Sequence, residues 1–172
     1  LGIIERIGDA AAARWGVDVG DRVAVETMLS CRFCENCLRG RYHLCQKRRI
    51  YSYIPLEQGH GLWGAYSEIM VLDGRSIVHK VDPALPPEIA VMFNPLGAGF
   101  RWAVEMPQTG PGDTVLFHAA AGGVGTAAVA LARSLGMGPI IGTAGGEKKC
   151  RLVEELGADH CVDYRNGDFR EA

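Results

Sequence analysis

The chain has 172 residues, of which 48% are hydrophobic and 22% charged, and its formal net charge is −2. That is the make-up of an ordinary globular protein with room for one sizeable core or two small ones. A charge so near neutral gives no global attraction to nucleic acid or an anionic membrane, and no apolar run approaches the roughly 20 residues that span a bilayer.

In chain order, residues 1–7 are rich in isoleucine and read as a strand, and residues 10–16 read as a loop. A Gly20-Asp21 turn then leads into a strand on which Val23 and Val25 face one way. A cysteine-bearing excursion follows directly. Cys31, Cys34, Cys37 and Cys45 put three thiols at steps of three and a fourth after seven intervening residues. Two overlapping Cys-x-x-Cys steps place three sulfurs on one turning loop, and Cys45 returns to complete a tetrahedron. Zn²⁺ takes four soft thiolates in this way, at about 2.3 Å. With every position filled by protein, no place remains for substrate or water, so a structural zinc is expected. Free or disulfide-bonded cysteines and an iron–sulfur cluster are the other readings of the same residues. Arg32, Arg39, Arg41, Lys47, Arg48 and Arg49 surround the thiols against Glu35 alone. They form either the solvated face of a polar lobe or, as a rival reading, a zinc-ribbon module for nucleic acid. The clustered thiols, with Cys150 and Cys161 isolated, suit a reducing, cytoplasmic setting.

Residues 47–62 lack a period and read as loop, while 65–72 and 76–81 read as strands joined by a hairpin-type turn at Asp73-Gly74. His60 and His79 are expected as surface histidines. Asp82-Pro-Ala-Leu-Pro-Pro is a linker. A helical pattern starts at Glu88, breaks at Asn94-Pro95 because proline resists a helix interior, and resumes to about Glu105. Strand and helix then alternate. Residues 114–118 form a strand, and Val124, Ala128, Leu131 and Leu135 share a face of the next helix. Residues 139–142 are a strand, 147–156 a helix and 160–163 a third strand. Such alternation means parallel strands joined by right-handed crossovers, an α/β class with part of a doubly wound sheet.

Between the first of these strands and its helix lies Ala119-Ala-Ala-Gly-Gly-Val-Gly. Against Gly-x-Gly-x-x-Gly, Ala120 takes the first place, Gly122 the second and Gly125 the third. The first eases the turn, the second admits a pyrophosphate to the backbone, and the third lets helix and strand pack closely. Free N–H groups at the helix start, around Gly123 and Val124, then meet phosphate. A tight turn with no ligand is the plain alternative. At the end of the second strand, where NAD(H) sites carry an acid for the ribose, the chain reads Gly142-Thr-Ala-Gly-Gly. Small residues there, Thr143 among them, leave space for a 2′-phosphate, and Lys148, Lys149 and Arg151 supply counter-charge within a helical turn. NADP(H) is therefore favoured over NAD(H), with a plain solvated helix face as the alternative.

Gly20-Asp-Arg-Val, the four-cysteine lobe, Gly64-Ala-Tyr-Ser-Glu, the Ala-Gly-Gly-Val-Gly turn and Glu155-Leu-Gly-Ala-Asp-His together resemble one family. It is that of the zinc-containing medium-chain alcohol dehydrogenases and their quinone and enoyl reductase relatives. The resemblance covers essentially the whole chain. It implies part of a GroES-like β-barrel with a zinc lobe over residues 1–93, and the start of a Rossmann domain over 94–172. It also implies a homo-oligomer, and a small alcohol or carbonyl substrate that exchanges hydride with the nicotinamide C4. Two catalytic zinc ligands of that family would lie before Leu1, and the third falls at Asn94, whose amide is a poor zinc ligand beside thiolate or carboxylate. The expectation is an internal piece of a dehydrogenase with little turnover alone. Two chemistries stay open: a catalytic zinc acting as Lewis acid, or a reductase of activated double bonds without metal at the reacting centre. A zinc-stabilised, catalytically silent subunit is a third reading. Asn before Pro also suits a helix start for its own sake.

Overall fold

The structure, a computed structural model, describes residues 1–166 and divides into units Leu1–Val91 and Met92–Ala172. Residues 167–172, the end of the expected 94–172 domain, lie outside the described part. The first unit is assembled from short pieces: β1 (Gly2–Ile3), α1 (Asp9–Trp15), β2 (Arg22–Val25), β3 (Met28–Leu29), α2 (Glu35–Leu38), β4 (Arg49–Ile50), β5 (Val78–Lys80) and α3 (Pro87–Ala90). β1, β2 and β5 make an antiparallel sheet in that order, and β3 pairs antiparallel with β4. One apolar cluster joins Ile4, Val17, Val23 and Val78. A second joins Leu29, Tyr51, Ile54 and Trp63. Val25 packs against both.

Several elements differ from the sequence expectation. The strand over 1–7 shrinks to Gly2–Ile3, and Ile3 is exposed. Residues 10–16 are not a loop, because α1 covers them. Asp9 favours the positive end of the helix dipole, the alanines carry the highest helix propensity, and Gly16 ends it at φ 63° with its N–H on Ala12 O. The hairpin over 65–81 does not form: residues 65–72 carry no strand, and β5 pairs with β2, Val78 opposite Val25. The turn at Asp73 exists, closed by the Ser76 N–H on Asp73 O at 2.9 Å.

In the second unit, α4 (Phe93–Phe100) runs into a wider π turn over Arg101–Glu105. The expected break at Asn94-Pro95 moves to Val91–Met92. Pro95 is the third residue of α4, where an N–H would have no partner within the helix. The alternation then follows as β6 (Val115–Phe117), α5 (Gly123–Ser134), β7 (Ile140–Ala144), α6 (Glu147–Glu155) and β8 (His160–Asp163). The three strands are parallel, in the order β6-β7-β8. α5 buries two faces. Val129 and Ala132 join the cluster with Val115, Ile140, Val153, Cys150 and Cys161, whereas Ala127 and Ala128 meet α4. There a Cβ on Gly99 would lie 3.1 Å from Ala128 N. Of the expected stripe Val124, Ala128, Leu131 and Leu135, only Ala128 is buried, because a helix held on two sides needs small residues. Burial, then the neighbouring Cys150 thiol, pushes Cys161 up to about 12, so this pair is core rather than reactive.

Candidate metal centre and nucleotide cradle

Cys31 leaves β3 after Ser30, Cys34 precedes α2 as its cap residue, Cys37 lies within α2, and a 3₁₀ turn over Tyr42–Leu44 delivers Cys45. Their four sulfurs lie within 4.8 Å of one another. Cys31 and Cys37 are 3.9 Å apart and Cys34 and Cys37 3.5 Å. A tetrahedral zinc with bonds of about 2.3 Å needs sulfurs about 3.8 Å apart, a spacing that these two pairs already approach and that the four together reach by closing no more than about 1 Å. Amides aim at the sulfurs: the Cys31 N–H donates to Cys45 Sγ at 3.3 Å and the Cys34 N–H to Cys31 Sγ at 3.4 Å. The Cys37 N–H is the first cause that draws the Cys34 thiol down to about 6. Burial, then the bond with Cys34, pushes Cys37 up to about 11. Four converging thiols are a donor set suited to a divalent soft cation.

Most of the surrounding cations are engaged within the lobe. Arg39 pairs with Glu35 at 2.8 Å. Lys47 sits over the Phe33 ring. Arg48 donates to His43 O, and Arg49 donates to Gln58 and stacks on Trp63. His79 pairs with Glu26 at 3.0 Å, and His60 stacks on Trp63 with ring centroids 4.0 Å apart.

In the second unit, the chain leaves β6 at the C-terminal edge of the parallel sheet and turns sharply. The left-handed residue is Ala119, at φ 54°, rather than Ala120. Ala120 is fully buried, with its N–H on Thr143 O at 3.0 Å. Thr143 is also buried, and its hydroxyl lies 3.2 Å from His118 Nδ1. These two residues support the turn from beneath. Gly122 caps α5 in extended conformation and is exposed, as is Gly123. A Cβ on Gly125 would stand 2.5 Å from Ala119 O and 2.8 Å from the Ala120 backbone, so only glycine lets the helix start this close to the turn. No side chain caps α5. The first-turn N–H groups of Gly123, Val124 and Gly125, which no helix can satisfy internally, are therefore left without a side-chain cap, in a geometry that could receive an anion.

At the end of β7, Ala144 is buried and stands opposite Asp163 of β8. This acid escaped the sequence reading, which searched β7 alone; only strand pairing brings it there. Its carboxylate accepts the Gly146 N–H at 2.8 Å, the Arg165 N–H at 3.0 Å and the Asn166 side-chain amide at 2.8 Å. The Gly146 amide first, then the Arg165 amide, hold it below the usual carboxylate range. Asp163 thus braces the loop instead of presenting free oxygens. A Cβ on Gly145 would lie 2.6 Å from the Tyr164 hydroxyl and 3.0 Å from Arg165 Nε. Lys148 and Lys149 are exposed on the first turn of α6, while Arg151 reaches Glu147 at 3.4 Å. Asn94 is exposed in the first turn of α4.

Two family models match: "Alcohol dehydrogenase GroES-like domain" over residues 1–83 and "Zinc-binding dehydrogenase" over residues 123–172. A probable alcohol dehydrogenase of Mycobacterium tuberculosis is 43% identical over 98% of this chain and 47% of its own length. The chain belongs to the zinc-containing medium-chain alcohol dehydrogenase family. An erythritol/L-threitol dehydrogenase of Mycolicibacterium smegmatis, another relative, is 33% identical over 98% of this chain and 44% of its own. The crystal structure of an alcohol dehydrogenase from Thermotoga maritima superposes with a TM-score of 0.80 at 30% identity, covering 90% of this chain and 43% of that one. The chain spans about half the length of the curated relatives it matches. Its fold class is that of this alcohol dehydrogenase family, α/β with a GroES-like part followed by a Rossmann-like parallel sheet. Among the described residues, no helix is long and apolar enough to cross a membrane.

Proposed function

We propose that this chain carries the zinc lobe and the nucleotide cradle of an NADP(H)-dependent oxidoreductase that moves hydride between an alcohol or polyol and its carbonyl form. The observation that carries the reading is Gly125, where 2.5 Å to Ala119 O leaves no room for any side chain, at a strand-to-helix junction whose helix has no side-chain cap. In this reading Cys31, Cys34, Cys37 and Cys45 hold one zinc that organises the lobe and takes no part in the reaction. The amides of Gly123, Val124 and Gly125 receive the pyrophosphate, with Gly122 lying close beneath it and Ala120 and Thr143 shaping the turn. Lys148 and Lys149, with Arg165 added from the β8 end, face a 2′-phosphate, while Asp163 is occupied by its own amides. The nicotinamide, once bound, supplies the hydride acceptor or donor at C4. The residues of this chain bind it and fix its orientation.

In this reading the two halves of function divide over residues 1–93 and 94–172, a boundary two residues beyond that of the units Leu1–Val91 and Met92–Ala172. The relatives named as acting on alcohols and polyols support that substrate class, the near-neutral charge fits a protein without nucleic-acid partners, and a cytoplasmic homo-oligomer completes the reading. A second reading is favoured by Asn94. An exposed amide in the first turn of α4 is a weak zinc ligand, which suits reduction of an activated carbonyl or double bond without metal at the reacting centre. Fluorescence titration tests the cofactor assignment. NADPH is expected to bind at least about 10-fold more tightly than NADH, roughly 1.4 kcal/mol. The double variant Lys148→Ala, Lys149→Ala should lose that preference. Equal affinities in the wild type sink the NADP(H) reading.

A further inference from the structure

Arg32, between the first two cysteines, has φ 66°, a left-handed conformation that a side-chain-bearing residue keeps only when something holds it. Two carbonyls do so: Arg32 Nη2 donates to Arg75 O at 2.7 Å and to Ser76 O at 3.4 Å. Those carbonyls belong to the turn Asp73–Ser76, which is itself tightly fastened. The Tyr51 hydroxyl accepts the Asp73 N–H at 2.7 Å and lies 2.6 Å from Ser76 Oγ. Ser76 Oγ donates to Asp73 O at 2.6 Å, so the Tyr51 proton goes to Ser76. Tyr51 and Ser76 are 3% and 1% exposed, so no water competes for these bonds. Arg75 grips the Asp73 carboxylate with Nε at 3.0 Å and Nη2 at 2.8 Å. This pairing with Asp73 favours the charged form of Arg75. Nothing in the spacing of the cysteines announces this turn, which lies more than forty residues downstream of Arg32.

We infer that the Tyr51–Asp73–Arg75–Ser76 turn, acting through Arg32, is the positioning element that holds the four sulfurs at zinc spacing. The link runs through backbone geometry. Pinning the Arg32 side chain fixes the peptide between Cys31 and Cys34 and, with it, the direction of the amides that meet the sulfurs. The positive charges of Arg32 and Arg75 also stand beside a cage that bears two negative charges once four thiolates surround Zn²⁺. The inference rests on the zinc reading of the lobe.

Zinc transfer from the zinc-loaded protein to a chromophoric chelator tests it. Arg32→Gly removes the anchor, while glycine takes the left-handed φ freely. Tyr51→Phe removes one hydroxyl and keeps the ring in its cluster. Both should release zinc at least about 10-fold faster than wild type, the size of effect usual for groups that orient metal ligands. Arg32→Lys, which keeps a donor, should recover part of the difference. Val17→Ala, in the separate cluster with Ile4, Val23 and Val78, serves as control: it lowers the melting temperature and should leave the release rate within about twofold. Wild-type release rates in Arg32→Gly, or equally fast release in Val17→Ala, overturn the inference with the zinc reading intact. A wild-type protein that retains no stoichiometric zinc overturns both.

Discussion

In the unit Leu1–Val91, no strand among the described residues exceeds four residues, and side chains do much of the ordering. Tyr42 donates to Glu26 at 2.7 Å, Arg14 to Gly74 O at 2.6 Å and Arg22 to Leu85 O at 2.8 Å. In the unit Met92–Ala172, a parallel sheet and one continuous apolar cluster set the shape, and the candidate site is made by side chains that are missing, at Gly122, Gly123 and Gly125. The contrast teaches that the two sites differ in what they require of a ligand. A cage of four thiols repels itself as its protons leave and needs a cation to persist. A cradle of backbone amides exists before any phosphate arrives.

The largest effect that separates the two comes from removing a sulfur. Cys45 is 1% exposed, and Cys45→Ser is expected to lower zinc from about one ion per chain to almost none. Hydrogen exchange over residues 28–51 should then become fast, while the amides of α5 and β7 keep their protection. Loss of protection in both units alike would erase the distinction. Gly125→Val attacks the other side. A side chain forced to within 2.5 Å of Ala119 O should destabilise the second unit by about 1–3 kcal/mol and abolish detectable NADPH binding. Metal analysis should still find zinc at the wild-type level.

A smaller effect comes from acid. The Gly146 amide first, then Arg165, depresses the Asp163 carboxyl. Its contribution is thus complete above the unfolded value of about 4 and is lost as pH falls below it. The cage gives way at higher pH, since its thiolates must shed the metal to take up protons. Zinc release followed at lower pH by faster exchange of the Gly146 amide is the expected order, and Asp163→Asn should remove the second step. Simultaneous loss would contradict independent origins for the two sites.

What could be read from the sequence was local. The cysteine steps and the glycine turn are complete within fifteen residues each, and the strand–helix alternation after residue 113 repeats a pattern that hydrophobic periodicity detects. α1 was missed because Ala10–Ala13 carry helix propensity but no apolar period. The strand expected over 65–72 has an apolar run, residues 69–72, but no partner strand among the described residues, since β2 takes β5. The turn at Asp73-Gly74 is legible from its residues, but its bond to Arg32 and the bond of Asp163 to Gly146 join residues far apart in sequence, so neither spacing nor composition could announce those contacts. Ala128 stands on the apolar face that periodicity detects, but periodicity does not show the close crossing it makes with Gly99, and Ala127 lies off that face.

The close crossing of α4 and α5 at Gly99 and Ala128 has a mechanical implication. Asn94 lies five residues earlier on the same helix, about 7.5 Å along its axis. A rigid rod seated backbone against backbone cannot slide without dragging that amide along. The position of Asn94 is therefore dictated by the seat of α4 on α5, so a methyl added at Gly99 should be felt as a displaced Asn94.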